Sequence, residues 1–223
     1  MVVVVHHLEN SRSQRVLWLL EELGVPYEVR RYQRNPKTLL APPELFEVHP
    51  LGKSPVITHG DTTVAESGAI MEYLVDTFGA DRLRPAAGTA AARQYSYWMH
   101  FAEGSAMPPL VMKLVFDRIE QAPVPFFIKP ILKAVSGKVN SEFIMPNIER
   151  QLAFMEAHLQ KHEWFAGEQF SAADIQMSFP LEAASSRAKI IRQYPHIVAF
   201  VERIHQRPAY KKALERGGPY AYA

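Results

Sequence analysis

The chain predicts a small α/β unit followed by a bundle of helices. Over residues 1–80, strand-like and helix-like patterns alternate. From about residue 90 onward apolar side chains recur every three or four residues, and no convincing strand follows. Residues 81–90 (Asp-Arg-Leu-Arg-Pro-Ala-Ala-Gly-Thr-Ala) read as a linker, dividing the chain into units of 1–80 and 91–223.

The elements of the first unit follow in order. Val2-Val3-Val4-Val5 favours a pleated backbone, and apolar side chains on both faces predict a central, twice-covered strand. Val16, Leu17, Leu19, Leu20 and Leu23 recur at helical spacing, with Gly24 and Pro26 as stop residues. Tyr27 to Tyr32 alternates as a second strand, and so short a β-α-β unit implies a parallel pair. Asn35 to Pro50 is irregular and proline-rich, with a short helix possible at Glu44 to Val48. Pro55–Thr58 and Thr62–Ala65 flank His59-Gly60-Asp61 as a hairpin. Ser67 is expected to cap a helix whose apolar stripe (Ile70, Met71, Tyr73, Leu74, Phe78) runs to Gly79.

In the second unit, helices are expected near 90–118, 140–162, 172–189 and 195–215. Ser171-Ala172-Ala173-Asp174 reads as a capping box in which the Ser171 side chain caps the N3 amide, Asp174 reaches back, and Phe170 staples against Ile175. The stretch Ala122–Val139 is interrupted by prolines; it is read as capping a cleft or packing on the bundle, ahead of a partner or membrane-surface helix. Arg216–Ala223 reads as a flexible carboxyl tail.

Composition excludes several classes. Of 223 residues, 25 are Lys or Arg and 23 are Asp or Glu, so a net charge of +2 offers no basic face for nucleic acid. Cysteine is absent, which removes disulfides, zinc–thiolate sites and any cysteine nucleophile, and a reducing cytosol fits. The valine run ends at His6 and His7, far short of the ~20 residues of a membrane span, and lacks the leader of a signal peptide. His6 and His7 point to opposite faces of a strand and do not readily share one ion. His158 and His162 share a helix face, but Gln160, Lys161 and Glu163 around them mark it as solvated, so no metal is expected.

Three places carry possible chemistry. Gly52-Lys53-Ser54-Pro55 looks like the end of a phosphate loop, but Glu47 stands where the first glycine is needed and Pro55 opens a strand. A cis bond before Pro55 turns the Ser54 backbone toward an extended ligand, although the trans form is commoner. Glu66-Ser67, where strand gives way to helix, offers an acid beside free amides and so suits a zwitterionic amino-acid head; a plain cap is the commoner use of such a serine. Asn10 to Ser13 lies at the carboxyl edge of the sheet, where ligands bind in open α/β folds.

Taken together, Asn10-Ser11-Arg12-Ser13 with Arg15 to Gly24, His49 to Val56, Ala65 to Ile70 and Ser171 to Asp174 resemble the glutathione transferase family over essentially the whole chain. Tyr97 to Gly104 resembles a bacterial and fungal branch of it. The resemblance implies a thioredoxin-like N-terminal domain, an all-helical C-terminal domain, and a cytoplasmic, detoxifying homodimer. It implies glutathione as co-substrate, with no resident cofactor, no metal and no nucleic acid. The γ-glutamyl head would meet Glu66 and Ser67, the cysteinyl backbone would pair with Ser54 before a cis Pro55, and Lys53 would lie near the glycyl carboxylate, with Arg12 as a second cation. The electrophile would be walled by Tyr97, Phe101, Met107 and Tyr220.

The family activates the thiol with tyrosine, serine or cysteine at the end of the first strand. His6-His7-Leu8-Glu9 holds neither tyrosine nor cysteine, so Ser11 is the first choice, with Asn10 and Ser13 as alternatives. Conjugation to small hydrophobic electrophiles is the leading function. Glutathione-dependent reduction of peroxides or disulfides, or a non-catalytic binding module, are the competitors. The set Ser11, Lys53, Glu66 and Ser67 speaks against a module needing only shape.

Overall fold

The structure, a computed structural model, describes residues 1–38, 40–188 and 190–222. Leu39 in the irregular stretch, Lys189 at the end of the helix expected over 172–189, and Ala223 of the expected tail lie outside the described residues.

Strand β1 (Val3–Leu8) extends beyond the valines through His6 and His7. It occupies an inner position in the order β2-β1-β3-β4, parallel to β2 (Tyr27–Tyr32) and antiparallel to β3 (Val56–His59). Strand β4 (Thr62–Ala65) closes the hairpin with β3. Between β1 and β2, α1 (Ser13–Leu23) ends on Gly24, whose φ of 70° is left-handed and whose N–H reaches back to the Leu20 and Glu21 carbonyls. A short α2 (Leu45–Val48) lies in the proline-rich stretch, and α3 (Ser67–Phe78) follows the hairpin.

Helix α3 starts one residue earlier than expected: Glu66 holds the cap position, without a side-chain cap bond, and Ser67 is the first helical residue. Glu66 sits at φ 72°, ψ 128°. For a residue with a Cβ this geometry stores about 1–3 kcal/mol, the kind of strain found where a backbone is held for a ligand.

The remainder is helical. Helices α4 (Ala90–Phe101) and α5 (Met107–Glu120) are joined by a π-helical turn, Ala102–Ala106. Helices α6 (Lys129–Val139) and α7 (Met145–Leu159) are joined by a second, Asn140–Ile144. The helix expected near 140–162 therefore begins at Lys129, because Pro130 falls in the first turn, where a missing N–H costs nothing. Helix α6 packs on α5, while Phe126 at the tip is 84% exposed and Phe127, Ile131 and Val135 are also exposed.

Central α8 (Ala172–Ala188) is buried along its first three turns, and α9 (Pro195–His205) and α10 (Pro208–Gly217) complete the bundle. At its start the capping box takes a different form from the one expected. The Asp174 carboxylate does reach back to the Ser171 N–H at 2.8 Å, but the Ser171 hydroxyl donates to the same carboxylate (3.0 Å) and the Asp174 N–H bonds the Ser171 carbonyl. The other carboxylate oxygen takes the Phe165 N–H at 2.8 Å. The Phe170 ring lies against Trp18 and Trp164, with Arg207 over its face at 3.7 Å.

Candidate active site

The carboxyl end of β1 is sewn to its surroundings by serine hydroxyls. Ser54 Oγ donates to the His6 carbonyl (2.8 Å), and the Leu8 N–H is shared between Ser13 Oγ and Ser54 Oγ at 3.3 Å each. Ser11 Oγ accepts the Ser13 N–H at 3.2 Å, a local turn bond at the entry to α1, whose cap position, Arg12, makes no side-chain cap bond. Ser11 and Ser13 share a hydrogen bond of 2.7 Å, and Ser13 Oγ lies 2.9 Å from His7 Nδ1. All three side chains are buried. Burial, and then Arg31, push the His7 imidazole down to about 4, against a hydrogen bond with the Gly217 backbone.

Asn10 has a different task. Its backbone is left-handed (φ 49°), a conformation asparagine tolerates, and its Oδ1 accepts the Ala221 N–H at 2.7 Å. The loop thus holds down the C-terminal segment. Tyr220, from the same segment, donates to the buried Glu182 at 2.7 Å, alongside Tyr210 (2.7 Å) and His205 (3.0 Å). Tyr222 packs edge-on against Phe179.

Beside the end of β1 opens a cavity of about 220 Å³. Its lining includes Lys53, Ser54 and Pro55, Glu66 and Ser67, and Arg12 and Glu103. The Ser54–Pro55 peptide bond is cis. Ser67 is buried at the start of α3, where the first amides have no intrahelical partner and the positive end of the helix faces out. An anionic group placed there is stabilised, while the exposed Glu66 beside it suits a cation.

Glu103 is the site residue that sequence reasoning missed. It sits in the π-helical turn after α4, its carboxylate bonded to Arg12 Nε at 2.9 Å and to Arg15. Burial pulls its pKa up, but the two guanidiniums outweigh burial and hold it below the usual carboxylate range. Arg15 is 1% exposed and also donates to the Gln176 carbonyl at 2.6 Å. The available signal was one acidic side chain in the mostly apolar run Trp98–Leu110.

The expected electrophile walls are scattered. Tyr97, 45% exposed, stacks on Phe101 and meets Trp98 and Phe154 edge-on, an aromatic group apart from the cavity lining. Met107 is buried in the core. Tyr220 lies near the β1–α1 loop but spends its hydroxyl on Glu182. His158 Nε2 donates to the Phe165 carbonyl (3.0 Å). Among the described residues no group of three or more His, Cys, Asp or Glu side chains is arranged to hold a metal, and no helix is long and apolar enough to cross a membrane.

Comparison with known proteins bears on this geometry. The family model described as "Glutathione S-transferase, N-terminal domain" matches residues 1–76, and "Glutathione S-transferase, C-terminal domain" matches residues 117–208. Glutathione S-transferase 3 of Schizosaccharomyces pombe is 37% identical over 215 residues, covering 96% of this chain and 88% of the relative. Glutathione S-transferase 1 of Saccharomyces cerevisiae is 31% identical over 223 residues, covering 96% and 95%. A glutathione S-transferase crystal structure from Actinobacillus pleuropneumoniae superposes with a TM-score of 0.81 at 32% identity, covering 99% of this chain and 94% of that one.

Proposed function

Because this chain belongs to the glutathione S-transferase family, we propose that it conjugates the glutathione thiolate to small hydrophobic electrophiles. It is a transferase, and glutathione is its co-substrate. The observation that carries the proposal is that one cavity beside the end of β1 is lined by two unlike sets of groups, Glu66 with Ser67 and Lys53 with Ser54. At the first set, the γ-glutamyl carboxylate meets the first amides of α3 at Ser67 while Glu66 takes the ammonium. At the second, Lys53 faces the glycyl carboxylate and the Ser54 backbone pairs with the cysteinyl unit. Arg12, pinned by Glu103, adds a second cation.

The difficult step is ionising the thiol. At a pKa of ~8.5 it is only about 3% thiolate at pH 7. Lowering that pKa by two units needs roughly 2.7 kcal/mol. One hydrogen bond to a charged acceptor contributes about 1.5–3 kcal/mol, and the start of α1 adds ~0.3–1. Thiolate then rises about 25-fold at most, and positioning must supply the rest of the rate. Ser11 is the proposed donor. Asn10 holds Ala221, and Ser13 is engaged by His7 and Leu8, which favours Ser11.

For the electrophile, Tyr220, Phe179 and Tyr222 are the favoured walls, since they lie together near the β1–α1 loop. Tyr97, Phe101 and Met107 have weaker support. The division into a glutathione-binding unit at 1–80, a linker at 81–90 and a helical unit at 91–223 belongs to the same proposal, as do the homodimer, the cytoplasmic location and the detoxifying role.

The test is turnover with glutathione on three acceptors: a chlorodinitro-aromatic, cumene hydroperoxide and a mixed disulfide. Conjugation of the aromatic is expected to dominate. Dominant reduction of the peroxide or disulfide moves the protein to a reductase role, and no turnover despite glutathione binding moves it to a binding module.

A further inference from the structure

Between α5 and α6 the chain turns over a proline-rich apex and puts two phenylalanines at its tip. The Ile128 N–H bonds the Pro125 carbonyl at 2.9 Å, so Phe126 and Phe127 are the central residues of a turn. Such positions usually hold Gly, Asn, Asp or Ser. Here the two rings meet edge-on, 5.6 Å between centroids, and yet remain 84% and 64% exposed. The apolar surface continues along α6, where Ile131 and Val135, one turn apart, are exposed while Ser136 is buried on the inward face. Packing of α6 on α5 therefore leaves these four side chains without a role, and a contiguous exposed apolar patch marks an interaction site.

The charge around the patch has one sign. From Gln121 to Ser141 the chain has Lys129, Lys133 and Lys138 and no Asp or Glu. Among the described residues Lys129 and Lys133 make no ion pair, and Lys138 makes a largely exposed one with Glu142 at 4.0 Å, a kind of pair that contributes little. Lys129 and Lys133, also one turn apart, flank the exposed arc of α6. A second copy placed about a two-fold axis would set this patch against itself, lysines against lysines. An anionic bilayer accepts both features: rings at a convex tip enter the acyl boundary while the ammonium groups stay at the headgroups.

We propose that the α5–α6 apex is a peripheral docking surface for anionic lipid bilayers, with Phe126 and Phe127 inserted and Lys129, Lys133 and Lys138 on the headgroups. A transferase held there works where apolar electrophiles partition.

The experiment is co-sedimentation of the full chain with vesicles of phosphatidylcholine alone and of phosphatidylcholine mixed with phosphatidylserine, at low and high salt. Binding should favour the anionic vesicles by about 5-fold per lysine and weaken as salt rises. Lys129→Gln/Lys133→Gln should weaken it about 25-fold, and Phe126→Ser/Phe127→Ser at least about tenfold. All four positions are exposed, so melting temperatures close to that of the wild type show that both variants are folded. Equal binding to the two kinds of vesicle, or a lysine variant that binds as the wild type does, overturns the proposal. So does a wild type that sediments with neither; if the phenylalanine variant then runs as a smaller species in velocity ultracentrifugation, the apex is an interface between copies of the chain instead.

Discussion

Glu103 joins the two halves of the chain by pairing with Arg15, a guanidinium from α1 that is 1% exposed and has no other carboxylate bonded to it among the described residues. The same carboxylate fixes Arg12 at the cavity wall. A buried ion pair is weak evidence for stability, but removing one partner strands the other.

Glu103→Gln should therefore destabilise the fold toward the lower end of about 3–5 kcal/mol, because about a third of the Glu103 side chain is exposed. Denaturant midpoints measure this directly. A loss below about 1 kcal/mol, the range of an exposed pair, would contradict it. Glutathione affinity should fall as well, since Arg12 loses the bond that aims it.

Ser11→Ala separates two roles in one hydroxyl. As the acceptor of the Ser13 N–H it supports the entry to α1, and its loss should cost about 1 kcal/mol of stability. As the thiolate donor, its loss should raise the kinetic pKa for conjugation by at least about one unit while glutathione affinity stays similar. A pH–rate profile that stays in place removes Ser11 from the mechanism.

Asn10→Ala should leave that pH–rate profile where it is. The carboxamide oxygen is committed to the Ala221 N–H at 2.7 Å, so the change should instead loosen residues 218–222. Faster proteolytic trimming of the C-terminal segment is the expected readout, with altered KM for bulky electrophiles. A raised thiol pKa in this variant would transfer the donor role from Ser11 to Asn10.

Much of the fold was legible because its causes are local. Consecutive valines reveal an inner strand, Gly24 a left-handed stop, and His59-Gly60-Asp61 a hairpin, each through the backbone preferences of a few neighbours. Lys53, Ser54, Glu66 and Ser67, singled out from the sequence at a strand start and a helix start, line one cavity. The missing parts depend on distant partners or on geometry without a composition signature. Glu66 adopts its positive φ in place of a glycine, so nothing in its identity marks the true start of α3. Glu103 reaches the cavity wall from a π-helical turn, which shifts the side-chain register that a regular helix would set. His7 acquires its neighbours from α1 and α10, and no spacing within β1 announces them.

His7 also sets an acid limit on the fold. Burial and then Arg31 depress its pKa from 6.5 to about 4, so between these values the unfolded chain binds more protons than the folded one. Stability is then fully present above the unfolded value and falls as pH drops from about 6.5 toward 4. A shift of this size corresponds to roughly 3 kcal/mol. His7→Leu should flatten that part of the stability curve. The free-energy gap between variant and wild type should move in the variant's favour as the solution is acidified, by up to that amount. Chemical denaturation of both proteins across this pH range measures it, and parallel curves would mean that the imidazole is not held neutral by the fold.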